Sequence, residues 1–127
     1  AITPLLEKHF GDWQAPATPV PQPSVAAVEL PKQPRVFLVD QPGAIQATIL
    51  AGQLAPPSTD ARSVEFDIAN AVLGGEFSSR LNMNLREEKS WAYGAYSFTS
   101  GAKGQRPWIA FAPVQIDKTA DALKEMQ

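Results

Sequence analysis

The chain has 127 residues, 44% of them hydrophobic and 19% charged, with a formal net charge of −2. That composition suits one globular domain or a piece of one, and with no run of Lys or Arg it offers no electrostatic footprint for nucleic acid or anionic lipid. Zero cysteine excludes disulfides, thiol nucleophiles and cysteine metal sites, and no apolar run approaches the roughly 18 residues of a membrane-spanning helix.

Pro4 to Phe10 reads as the end of a helix, with Leu5, Leu6 and Phe10 apolar at helical spacing and Gly11 as the stop. This start lacks the basic region and long apolar segment of a signal peptide. His9 is the only histidine; it suits the last turn of a helix, and a zinc ligand would need companions that the chain does not offer. At the other end, Asp117 to Gln127 stops in the middle of an amphipathic pattern. The expectation is therefore a fragment of a longer polypeptide, cut at both ends.

From Gln14 to Pro34, six prolines (16, 19, 21, 23, 31 and 34) demand an extended, polyproline-like backbone. Such a segment either crosses over the domain as a semi-rigid connector or serves as a ligand for an SH3-type groove, although no basic residue flanks it as such grooves prefer. Val25 to Leu30 could add a short edge strand. The organisation expected is a helix end over 1–13, a proline-rich connector over 14–34 and an α+β core over 35–127.

Arg35 to Asp40 (RVFLVD) is apolar on both faces, the pattern of a strand buried within a sheet. Pro42-Gly43 is a turn dipeptide, and Ile45 to Ala51 alternates, so the two strands are expected to form an antiparallel hairpin. After the breaker Pro56-Pro57, Ala61, Val64, Ile68 and Ala71 or Val72 recur at helical spacing, predicting a helix over 60–73 with that stripe toward the core, ended by Gly74-Gly75. Ser78 or Ser79 can cap a second, amphipathic helix carrying Leu81 and Leu85 and ending near Lys89-Ser90. Trp91 to Ser100 returns to a period of two, and Trp108 to Ala112 alternates again beyond a glycine-bearing loop, predicting a second hairpin. Hairpins separated by helices argue for α+β, an antiparallel sheet covered on one face.

No HExxH, HxxEH, Ser/His/Asp set, P-loop or GxGxxG is present, so self-contained hydrolytic catalysis is not expected. Glu87 and Glu88 adjoin but point to different sides of a helix, a poor catalytic pair. Trp91, Tyr93, Tyr96 and Phe98 suggest core or cleft packing rather than base stacking, for want of a basic groove. Arg86 and Tyr93 remain. A turn at Lys89-Ser90 could bring them to one rim of the sheet, where a guanidinium and a phenol could grip a peptide carbonyl or stabilise charge building on it. The plainer alternative has Arg86 paired with a neighbouring carboxylate and Tyr93 filling the sheet face.

The stretch Leu73 to Phe98, LGGEFSSRLNMNLREEKSWAYGAYSF, resembles the signature segment in the C-terminal half of M16 metallopeptidases, the pitrilysin, insulin-degrading enzyme and mitochondrial processing peptidase clan. LLEKHFGDW and RVFLVDQPGAIQATILAG are similar to that family's preceding helix end and hairpin, so the resemblance covers nearly the whole chain. It implies a ferredoxin-like half domain of a clamshell whose N-terminal half carries zinc on HxxEH and a downstream Glu. The C-terminal half closes over the substrate, and its arginine and tyrosine match Arg86 and Tyr93 at the family's seven-residue spacing. The resemblance thus implies a substrate-binding role for that pair, with no catalytic residue and no metal in this chain. Zinc is expected in a partner half, either in the same polypeptide or in a separate subunit, and a peptide is the expected substrate. The alternative is a catalytically inactive subunit acting as a structural or protein-binding module. The bacterial periplasm or envelope is the compartment the resemblance favours, with the mitochondrial matrix as the alternative. Ser90 stands where the family usually has glycine. An exposed sheet edge would also invite self-association into a homo-oligomer.

Overall fold

Two long alternating strands form the frame. In the computed structural model, which describes residues 1–127, β1 (Gln46–Ala55) pairs antiparallel with β3 (Arg106–Gln115) along its whole length, from Gln46 opposite Gln115 to Ala55 opposite Arg106. The short strand β2 (Tyr96–Thr99) joins the far side of β3, also antiparallel, giving the order β1-β3-β2. The register puts Ala47, Ile49 and Ala51 beside Val114, Ala112 and Ala110 on one face. Those small side chains let helices approach closely, and Ile49, Ala110, Ala112 and Val114 form one buried cluster with Leu81, Leu85, Ala95 and Ala122. The opposite face carries Leu50, Tyr96 and Phe98, all exposed, with Phe111 stacked on Tyr96 at 6.0 Å between ring centroids. The fold is α+β, with an antiparallel sheet covered on one face.

Helix α1 (Thr3–Phe10) buries no residue, and none of its neighbours in 11–34 adopts regular structure. Helix α2 (Ser63–Asn70) runs into one widened, π-type turn over Ala71–Gly75. Asn70 docks it. The Asn70 amide donates to the Ser97 carbonyl at 3.0 Å, and its oxygen accepts from the Ser97 hydroxyl and the Trp108 indole, each at 2.7 Å. Gly74 sits so near β2 that a Cβ there would collide with the Ser97 backbone nitrogen, the Ser97 hydroxyl and a Leu81 methyl. At the start of β3, the buried Arg106 donates from Nε to the Pro56 carbonyl at 3.0 Å and faces the Asp67 carboxylate at 3.5 Å. Helix α3 (Arg80–Asn82) continues as a second π-type segment, Met83–Glu88, and α4 (Thr119–Glu125) follows a 3₁₀ turn over Ile116–Lys118.

Several expectations are corrected. Arg35 to Asp40 is not a buried strand: it has no strand pairing, and Leu38 is 93% exposed. The turn that should close the hairpin does form, with Gly43 at φ 80° and the Ala44 amide bonded to the Gln41 carbonyl, yet β1 takes its partner from β3 instead. Val25 to Leu30 is no strand either; the Val28 amide and carbonyl bond instead to the Gln105 side chain. The apolar stripe of α2 faces away from the sheet, leaving Val64, Ile68 and Val72 exposed. The polar bonds of Asn70 set the docking face, and they turn that stripe outward. The glycine pair lies inside the widened turn rather than beyond it. Ser79 holds the N-cap position of α3 with extended backbone, but its buried hydroxyl has no partner. Finally, the strand expected over 91–100 shortens to Tyr96–Thr99, and earlier in that stretch Ala92 makes one isolated bridge, to Val114.

The close approach at Gly74 gives a clean contrast. Gly74→Ala should lower the urea midpoint by the equivalent of about 1–3 kcal/mol, as overpacking does. Gly101→Ala should change it by less than about 0.5 kcal/mol, because an added Cβ there meets nothing within 4 Å.

Candidate functional site

The segment from Phe77 to Ala95 folds as a helix flanked by two approaches, and one buried side chain ties both approaches to the helix. Asn82, 2% exposed, donates from its amide to the Phe77 carbonyl at 2.7 Å and accepts the Ala95 amide on its oxygen at 3.1 Å. One turn further on, on the same side of the helix, stands Arg86. Its guanidinium carbon lies 4.6 Å from the centroid of the Phe77 ring and 5.4 Å from that of Tyr93. Glu87 places a carboxylate oxygen 3.3 Å from Arg86 Nε. A cation over an exposed ring is worth about 0.5–1 kcal/mol, enough to bias the rotamer of a long side chain.

The turn that returns the chain to the sheet is pinned throughout. The Leu85 carbonyl accepts both the Trp91 and Ala92 amides, at 2.9 and 3.2 Å, and the Lys89 amide reaches the Asn84 carbonyl at 3.0 Å. Gln115 holds the loop from the sheet side, donating its side chain to the Ser90 carbonyl at 3.1 Å and its backbone amide to the Trp91 carbonyl at 2.9 Å. Ser90 has φ 56°, the left-handed region that glycine occupies without strain. Lys89 bridges to Glu125 at 3.3 Å and lies over the Trp91 ring at 5.5 Å. The Asn84 amide, at 2.8 Å, and then Lys89 hold the Glu125 carboxyl below its usual range.

With the Trp91 and Ala92 amides bonded to the helix end, the chain over 91–94 forms no strand beyond the single bridge at Ala92, and Tyr93 is 82% exposed. The structure therefore brings Arg86 and Tyr93 together as expected, but not with Tyr93 on a sheet face. It adds Phe77 and Asn82, which sequence reasoning passed over. The signal for Asn82 was a poor helix former in mid-helix between Leu81 and Leu85, a place where an amide needs local partners. No three His, Cys, Asp or Glu side chains converge on a metal-sized site, and His9 sits exposed on α1, so the donor set does not fit a catalytic zinc. No helix is long and apolar enough to cross a membrane.

The profile of the peptidase M16 inactive domain matches residues 1–127. The chain belongs to the M16 inactive-domain family. An uncharacterized zinc protease of Streptomyces coelicolor is 34% identical over 79 residues, which is 62% of this M16 domain and 17% of that protein. A crystal structure of a peptidase M16 inactive domain from Pseudomonas fluorescens superposes with a TM-score of 0.61 at 24% identity. That match covers 64% of this chain and 20% of the other, and it supports the α+β architecture. The M16 domain thus spans about a fifth or less of the chains it matches.

Ser90 is the place where this M16 domain carries backbone strain. Ser90→Gly should stabilise it by about 1 kcal/mol, seen as a higher melting temperature, because glycine relieves the left-handed cost. A melting temperature that fails to rise would show that the extra freedom glycine gives the unfolded chain offsets the strain it relieves.

Proposed function

We propose that this domain belongs to the substrate-enclosing, non-zinc half of an M16-type endopeptidase, where Arg86 and Tyr93 bind an extended peptide and polarise its scissile carbonyl. The observation that carries the reading is their convergence: a guanidinium and a phenol 5.4 Å apart at an exposed turn, on a segment with the family's spacing. Arg86 keeps its two terminal nitrogens beyond the Nε that faces Glu87, and those donors can hold a carbonyl oxygen as negative charge develops there. The Tyr93 hydroxyl supplies a further donor from a stiff arm. The metal chemistry belongs, in this reading, to an N-terminal half in the same polypeptide or in a separate subunit.

In the complete enzyme, Arg86→Ala and Tyr93→Phe should each lower kcat/KM for a peptide by about 10²-fold, with melting temperature nearly unchanged. Wild-type cleavage by both variants would overturn the assignment and favour the second reading, an inactive subunit that serves as a structural or protein-binding module. That alternative draws on the family being one of inactive domains.

The outer edge of β1 has no strand beside it, which supports self-association of the domain by edge pairing. Sedimentation across concentrations should show a dimer forming; a strictly monomeric profile would overturn this.

A further inference from the structure

A long arginine side chain at an exposed turn samples many rotamers, and a ligand that uses it must bear the cost of ordering it. Here that ordering is done beforehand. Phe77 is 65% exposed, yet its ring is engaged: the Arg86 guanidinium carbon lies 4.6 Å from its centroid. The ring is not free to drift. The Phe77 carbonyl receives the Asn82 amide at 2.7 Å, and the same Asn82 side chain fixes Ala95, two residues beyond Tyr93. One buried asparagine therefore sets the backbone that carries each ring, and Arg86 lies one helical turn from that asparagine.

We propose that Phe77, anchored by Asn82, is a positioning residue that acts with Tyr93 to hold the Arg86 guanidinium in one orientation, leaving its terminal nitrogens as a preset fork for one peptide carbonyl. The proposal rests on the peptide-binding reading of Arg86 and Tyr93. It assigns to Phe77 no contact with substrate. The ring acts through Arg86, and what it supplies is a flat π face, which an aliphatic side chain of similar bulk lacks. Glu87 contributes from the side, facing Nε at 3.3 Å, so the terminal nitrogens remain the donors that can turn outward.

The test is steady-state peptide cleavage by the complete enzyme with four variants: Phe77→Leu, Phe77→Tyr, Arg86→Ala and the double Phe77→Leu/Arg86→Ala. Because Phe77 is largely exposed, Phe77→Leu should melt close to wild type, so a fall in rate is not a fall in folded protein. Phe77→Leu should lower kcat/KM about tenfold, the scale of a catalytic group held slightly out of place. Phe77→Tyr, which keeps the ring face, should retain nearly wild-type turnover. The double variant should be no slower than Arg86→Ala alone, since the ring has no effect once the guanidinium is gone. If Arg86→Ala is impaired while Phe77→Leu cleaves like wild type, or if the two losses multiply in the double variant, the positioning role is overturned and the peptide-binding reading stands. If Arg86→Ala itself cleaves like wild type, the peptide-binding reading fails and this proposal falls with it.

Discussion

Edge strand β2 obtains its outward hydrogen bonds from helices rather than from another strand, and the rest of the domain depends on that constraint. Asn70 on α2 donates to the Ser97 carbonyl, and Asn82 on α3 accepts the Ala95 amide two residues earlier. Both amide side chains thus cover the same edge. An uncovered edge is a template for pairing with other chains, and covering it with a helix is one way to blunt it. The Asn70 oxygen also accepts from the Ser97 hydroxyl and the Trp108 indole, so α2 is locked to two strands through a single side chain. Removing that side chain would leave polar groups of the sheet unpaired in a partly buried place, which costs more than the bonds contribute on average. The other edge of the sheet, β1, has no such cover.

The site follows from the same arrangement. Because Asn82 takes the Ala95 amide and Leu85 takes the amides of Trp91 and Ala92, the five residues from Trp91 to Ala95 are drawn out of the strand, with one bridge left at Ala92. Tyr93 is among them. Its exposure is therefore a consequence of how the helix end consumes backbone donors, not of any property of the tyrosine. Gln115, at the last position of β3, then clamps the loop by its side chain and its backbone, so the exposed ring is carried on a constrained support. Ser90 bears a left-handed backbone at the tightest point of the loop, and the local bonds around it offset that strain.

Much of this was legible in the residues. Leu81 and Leu85 read as the apolar positions of an amphipathic helix, and both are buried; the alternation in Trp108 to Ala112 marked the centre of β3. The spacing of Arg86 and Tyr93 across a turn pointed to their meeting, and they meet. What failed has a common physical origin. Val64, Ile68 and Val72 satisfy helical periodicity, but periodicity states only that a helix has an apolar stripe, not which side docks first. The Asn70 side is the one that faces the sheet, because its hydrogen bonds to Ser97 and Trp108 are directional and hydrophobic burial is not. Likewise RVFLVD has strand composition, but a strand exists only where a partner offers its backbone, and β3 takes the inner side of β1. Polar side chains that act through one specific bond leave almost no trace in a hydropathy pattern, which is why Asn70 and Asn82 went unnoticed while the leucines did not.

The contact between Arg86 and Glu87 bears on how the site is weighed. A local ion pair was the plain alternative to a binding role, and the pair is present at 3.3 Å. Yet the two uses draw on different atoms. The carboxylate faces Nε, whereas a carbonyl oxygen would be held by the terminal nitrogens, and a guanidinium has five donors to divide between them. The other half of the plain alternative, a tyrosine filling a sheet face, does not hold: Tyr93 lies outside the strand and is 82% exposed. A surface ion pair alone would stabilise the fold little, and it would not require two aromatic rings against the same guanidinium. In the proposed reading, rings that contribute little to the core restrict a charged side chain in preparation for a ligand, a use that packing alone would not give them.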